Sequence, residues 1–218
     1  NKTFLSTVAS PLDAAAIKLR VPTDYAEHVV EFISAVSGLE FEAPALVSWA
    51  GIDMVDSDHP RLFGRAGVYG QRCANFVLQN CDFLLTIGTR LAVPQVGYDL
   101  SEFARAAEIA CVDIDAAEAV KHGDRITFPI CMDAKAFMAA LLDGAGGRAP
   151  LTYDPWMTQC GLYREKYPWI DAEHADQGGF INSYRFMEKL DAHFKPDQVV
   201  VTDMGTAFTC TFQAARMQ

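Results

Sequence analysis

Between residues 83 and 115 the chain carries two short apolar runs, FLLTI at 83–87 and IACV at 109–112, separated by a polar segment of helical length. Neither run alternates apolar with polar residues, so both faces of each strand are destined for burial, as in a parallel sheet covered by helices on both sides. The expected fold class is therefore α/β, a doubly wound parallel sheet of Rossmann-like type. Such sheets bind ligands beyond the carboxyl ends of their strands. Those ends are Gly88, Thr89 and Arg90 after the first run, and Asp113 and Asp115 after the second. Arg90 offers a two-pronged guanidinium to phosphate, and Thr89 an amide and a hydroxyl. Asp113 or Asp115 can accept from sugar hydroxyls. The competing reading pairs Arg90 with a nearby carboxylate and makes Asp115 the cap of a helix starting at Ala116.

The alternation extends on either side. Residues 1–23, broken by Pro11 and Pro22, read as a linker or strap. Asp24 caps a predicted helix that places Tyr25, Val29, Phe32, Ile33 and Val36 on one face and ends at Gly38. A strand is expected at 45–49, a glycine-punctuated loop at 51–70 and a helix at 71–80. A short segment at 116–120, a strand at 126–130 and a helix from Asp133 to Leu142 complete this unit. In the loop, Gly64, Gly67 and Gly70 either let backbone approach a ligand or simply build turns. Asn75 and Gln79 share a helix face, as ligand contacts or as solvated polar groups. Residues 144–150, GAGGRAP, do not propagate a helix and mark a boundary; the aromatic-rich stretch that follows to 179 reads as an irregular connector. A helix at 182–194 and a strand at 198–202 then lead into the turn Asp203-Met204-Gly205-Thr206 and a helix from Ala207. Amides at a helix start suit an anion, so Gly205, Thr206 and Ala207 are candidate diphosphate ligands, with Asp203 as a capping residue.

Composition excludes several classes. A formal charge of -10 argues against a nucleic-acid or anionic-membrane surface. No run approaches the ~20 apolar residues of a membrane span, and the first residues lack a signal-peptide pattern, so a cytoplasmic location is expected. The six cysteines form no Cys-x-x-Cys pair and read as buried free thiols; the five histidines are dispersed, leaving a zinc or iron site without support. Gly-x-Ser-x-Gly, His-Glu-x-x-His, Walker and six-position dinucleotide motifs are absent.

Residues 48–91, the VDID segment at 112–115 and residues 127–142 together resemble the central domain of thiamine-diphosphate-dependent enzymes of the acetolactate synthase group. Residues 181–206 resemble the opening of that group's diphosphate-binding domain. The residue pattern together with the resemblance divides the chain into four parts: a linker or strap at 1–23, a central Rossmann-like domain at 24–143, a connector at 144–179, and the start of a diphosphate-binding domain at 180–218. It implies thiamine diphosphate with magnesium as cofactors, the diphosphate held at Gly205, Thr206 and Ala207. In some members FAD lies at the sheet edge, which maps to Gly67, Gly70, Gly88, Thr89, Arg90, Asp113, Ile114 and Asp115. The implied reaction is decarboxylation of a 2-keto acid to a carbanion-enamine on the cofactor, which passes to an acceptor. A homodimer or homotetramer follows from the same resemblance. Acetolactate synthases carry Gln-His after the turn glycine, where this chain has Thr206-Ala207. The activating glutamate and the Gly-Asp-Gly magnesium motif are not in this sequence, which is therefore expected to be part of a longer polypeptide. The alternative is a non-catalytic Rossmann-type module binding FAD or NAD. An NAD-dependent deacylase would need a catalytic histidine, and neither His59 nor His122 has a suitable context.

Overall fold

The computed structural model describes residues 3–7, 43–145, 154–195 and 198–217. The helix expected after Asp24, and residues 146–150 of the expected boundary, lie outside them. Six strands form one sheet: β1 Thr3–Thr7, β2 Ala45–Val47, β3 Leu62–Arg65, β4 Phe83–Ile87, β5 Glu108–Asp113 and β6 Phe128–Cys131. Every pairing is parallel and the order is β3-β2-β1-β4-β5-β6. This is the order of doubly wound dinucleotide-binding sheets, in which the chain changes direction between the first and fourth strands. The expected fold class holds.

The two faces of the sheet explain the unbroken apolar runs. Leu46, Leu84, Ile109 and Cys111 point into one core, with Phe63, Val77 and Leu78. Their neighbours Val47, Leu85, Ile87, Ala110 and Val112 point into the other, with Met54 and Met138. Alternate residues thus enter different cores, and both cores are apolar. The first is covered by α1 (Arg72–Gln79), the second by α4 (Ala134–Ala145), whose Met138 is 5% exposed. Between them lie the short helices α2 (Val93–Val96) and α3 (Ala116–Val120). At the far edge β6 carries Pro129, a residue that cannot donate to a further strand.

Four elements differ from the sequence reading, the fourth being the strand expected at 198–202. Thr3–Thr7, assigned to a strap, is a strand of the sheet: Leu5 lies opposite Ala45 of β2 on one side and Leu85 of β4 on the other. Leu62–Arg65, assigned to a loop, is β3. Asp154–Lys166, assigned to an irregular connector, is the helix α5. Its aromatic face packs on the central unit: Tyr163, and Tyr167 just past the helix, stack on Phe76 of α1 with centroids 5.4 and 4.7 Å apart. Beyond it, α6 (Ser183–Asp191) and α7 (Thr206–Ala214) share a small core of Met187, Cys210, Ala214 and Ala215. Residues 198–202 form no strand ladder among the described residues, and Val199 and Val201 are exposed. Five of the cysteines are buried as expected; Cys131 is exposed.

Candidate functional site

The nominated residues of the sheet do gather at one edge, and the polar side chains among them are engaged there by protein. Arg90 donates to Glu118 at 2.6 Å, and Lys121 donates to the other carboxylate oxygen at 2.6 Å. Together the hydrogen bonds from Arg90 and then Lys121 hold the Glu118 carboxyl down at about 2. The Thr89 hydroxyl donates to Gln95 at 2.8 Å. Asp113 accepts from the Asp115 amide at 2.9 Å, and Asp115 caps α3 by accepting from the Ala117 amide at 2.8 Å. The Gly88 amide donates to the Val112 carbonyl, while Ile114 is left exposed. For Arg90 and Asp115 the competing structural reading describes what is found.

The glycine loop after β3 closes on itself in the same way. The Val68 amide donates to the Pro94 carbonyl at 2.8 Å. Gly67 sits at φ 148, where a Cβ would stand 2.7 Å from the Pro94 oxygen. Its close approach is therefore to the polypeptide that follows β4. Asn75 accepts from the Gly67 amide and donates to the Gly67 carbonyl, both at 2.9 Å. Gln79 accepts from the Ala104 amide at 3.0 Å. Both side chains thus staple backbone, rather than facing solvent or a ligand.

The start of α7 is different. Asp115, Asp133 and Asn182 cap α3, α4 and α6 with side-chain oxygens. Gly205, at φ 84 and ψ -143, offers α7 no side-chain cap. The amides of Thr206, Ala207 and Phe208 have no hydrogen-bond partner among the described residues, as geometry dictates for the first turn of a helix. Gly205, Thr206 and Ala207 are exposed. Asp203 accepts from the amide of its neighbour Met204 at 2.7 Å, ahead of the helix, and does not provide the cap of α7 expected of it. Phe208 stands edge-on to Trp49 at 5.5 Å, and Trp49 stacks on Tyr69 of the glycine loop at 5.8 Å. The open turn therefore lies beside the carboxyl end of β2.

Sequence reasoning missed Arg65. It is fully buried, yet no carboxylate pairs with it among the described residues. It donates to the carbonyls of Phe212 at 3.0 Å and Ala215 at 2.6 Å, and its guanidinium lies 4.7 Å from the Trp169 ring centre. Burial, with Arg216 nearby, brings its pKa down to about 9. Gln71 binds the same helix end, donating to Gln213 at 2.6 Å while accepting from the Arg65 amide at 2.9 Å. An arginine in an apolar run was a legible anomaly; its partners lie 147 and 150 residues away and were not legible.

A doubly wound parallel sheet whose carboxyl edge lies beside an open helix start is an arrangement suited to an anionic ligand. Residues 24–141 match the family described as thiamine pyrophosphate enzyme, central domain, and the chain belongs to that family. It is 30% identical over 175 residues to acetolactate synthase isozyme 2 large subunit of Escherichia coli K12, covering 80% of this chain and 29% of that protein. It is 36% identical over 170 residues to a probable acetolactate synthase large subunit of Methanocaldococcus jannaschii, covering 74% and 28%. It is 26% identical over 186 residues to sulfoacetaldehyde acetyltransferase of Castellaniella defragrans, covering 75% and 31%. The chain thus spans less than a third of the length of these relatives. No helix among the described residues is long and apolar enough to cross a membrane.

Proposed function

We propose that this chain is the central domain, with the opening of the diphosphate-binding domain, of a thiamine-diphosphate-dependent enzyme of acetolactate synthase type. Its substrate is a 2-keto acid, decarboxylated and joined to an acceptor, and it works with magnesium as a cytoplasmic homodimer or homotetramer. The observation that carries this reading is the pairing, in one chain of this family, of the central sheet with a helix whose open amides are held against it. The amides of Gly205, Thr206 and Ala207 would hold the diphosphate at the positive end of the α7 dipole. Bound there, the cofactor supplies the electron sink for the reaction. The chain's own part is positional: Gly205 gives the turn a conformation that other residues resist, and Phe208 and Trp49 keep its inner side apolar.

The polar side chains nominated for FAD at the β4 and β5 ends are engaged with protein partners, so they do not fit a flavin nucleotide. The same observation favours a thiamine-diphosphate enzyme over a free-standing FAD or NAD module. Titration calorimetry with thiamine diphosphate plus magnesium, in parallel with FAD and NAD, tests the reading. Binding of thiamine diphosphate is expected; binding of NAD alone would overturn it.

A further inference from the structure

Resting on that reading, we propose that Arg65, seconded by Gln71, is a positioning residue for thiamine-diphosphate binding. From the end of β3 it anchors the carboxyl end of α7 and so sets where the amino end of that helix presents Gly205, Thr206 and Ala207.

The case begins with a buried arginine that has no carboxylate in ion-pair contact among the described residues, Asp191 acting on it only at longer range. Burying a cation is costly unless something answers its charge and its donors. Here the answer is the last turn of α7: its carbonyls have no partner within the helix and lie at the negative pole of its dipole. Arg65 takes the carbonyls of Phe212 and Ala215, and Gln71 takes that of Gln213. Arg65 also reaches the Ser57 hydroxyl at 3.4 Å. The chain just past the helix is tied down too: the Ser57 amide donates to the Met217 carbonyl at 2.8 Å, the Met217 amide donates to the Ser57 hydroxyl at 2.8 Å, and Arg216 pairs with Asp58. At the other end Gly205 provides no side-chain cap, and Phe208 rests on Trp49. A helix of nine residues is a stiff rod roughly 13 Å long, so its orientation follows from where its ends are held. The polar hold is all at the carboxyl end, and Arg65 and Gln71 flank the glycine loop that supplies it.

The test uses the full chain with three substitutions. Arg65→Met keeps the bulk and removes the donors; Arg65→Lys keeps one donor group; Met138→Ala opens a cavity under α4, away from α7. We expect Arg65→Met to weaken thiamine-diphosphate binding, measured by calorimetry with magnesium, at least tenfold and to speed amide hydrogen exchange across Thr206–Ala214. Arg65→Lys should recover part of both, and Met138→Ala should lower Tm with binding within twofold of the unchanged chain. The proposal is overturned if Arg65→Met binds within twofold, or if Met138→Ala weakens binding equally, since general destabilisation would then suffice. Failure of the unchanged chain to bind thiamine diphosphate overturns the functional reading instead. Hydrogen exchange in the same variants then still decides whether Arg65 anchors α7.

Discussion

The carboxyl ends of β4 and β5 and the amino end of α7 are both helix starts facing the same side of the sheet, yet they handle polar groups in opposite ways. After β5, Asp115 fills the first turn of α3, and Arg90 is drawn onto Glu118 of that helix. At α7 a glycine stands where the cap would be, and the first amides are left open to solvent. A short polar side chain at the cap satisfies a helix start from within; a glycine in the left-handed region leaves that work to a ligand. Residue patterns and the family resemblance nominated both places. The geometry of their hydrogen bonds separates them.

The largest effect that would sharpen this contrast is expected from Gly205→Ala. At φ 84 a Cβ meets no atom within 4 Å, so the penalty is in the backbone itself, on the order of 1–3 kcal/mol. Relaxing the turn to relieve it disperses the amides, and thiamine-diphosphate affinity should fall roughly 10- to 100-fold by calorimetry. Unchanged affinity would mean that the turn is not the diphosphate site. A smaller effect, of another kind, is expected at the opposite pole of the comparison. Asp115→Ala removes a helix cap and should cost about 1 kcal/mol in urea denaturation, with thiamine-diphosphate affinity within twofold. Loss of that affinity would make the edge part of the cofactor site.

Smallest is the pH response of the ion pairs there. Glu118 is held at about 2 against an ordinary 4.5, so its contribution to stability is present above 4.5 and lost as pH falls toward 2. Arg90 is largely exposed, which limits the contribution to about 1 kcal/mol or less. Glu118→Gln should flatten the dependence of Tm on pH within that window and leave neutral-pH ligand binding unchanged. An unaltered slope would show that Arg90 is not committed to Glu118 and remains available to a ligand.

Legibility followed the distance over which the governing interaction acts. β4 was legible to the residue because burial on both faces is written into five consecutive side chains. The start of α3 was legible because a cap and the amide it serves lie two residues apart. By contrast β1 becomes a strand through pairing with β2 and β4, and its own five residues, Thr-Phe-Leu-Ser-Thr, carry little of that signal. In β3, Gly64 and Arg65 looked like loop residues because the groups that receive the arginine belong to α7. The helix α5 was legible in principle. Trp156, Cys160, Tyr163 and Tyr167 recur at spacings of four, three and four, a helical stripe built from aromatics and cysteine instead of aliphatic residues.

By itself, then, the sequence determined a doubly wound parallel sheet, its central strands and its capped helices, because side-chain burial patterns and caps act over a few residues. Tertiary structure decided which polar groups remain free for a ligand. Arg90 is committed to a carboxylate 28 residues on, Asn75 to a loop 8 residues back and Arg65 to carbonyls 147 residues and more away. A hydrogen bond depends on distance and angle in space, and no local pattern encodes a meeting of groups that far apart in the chain.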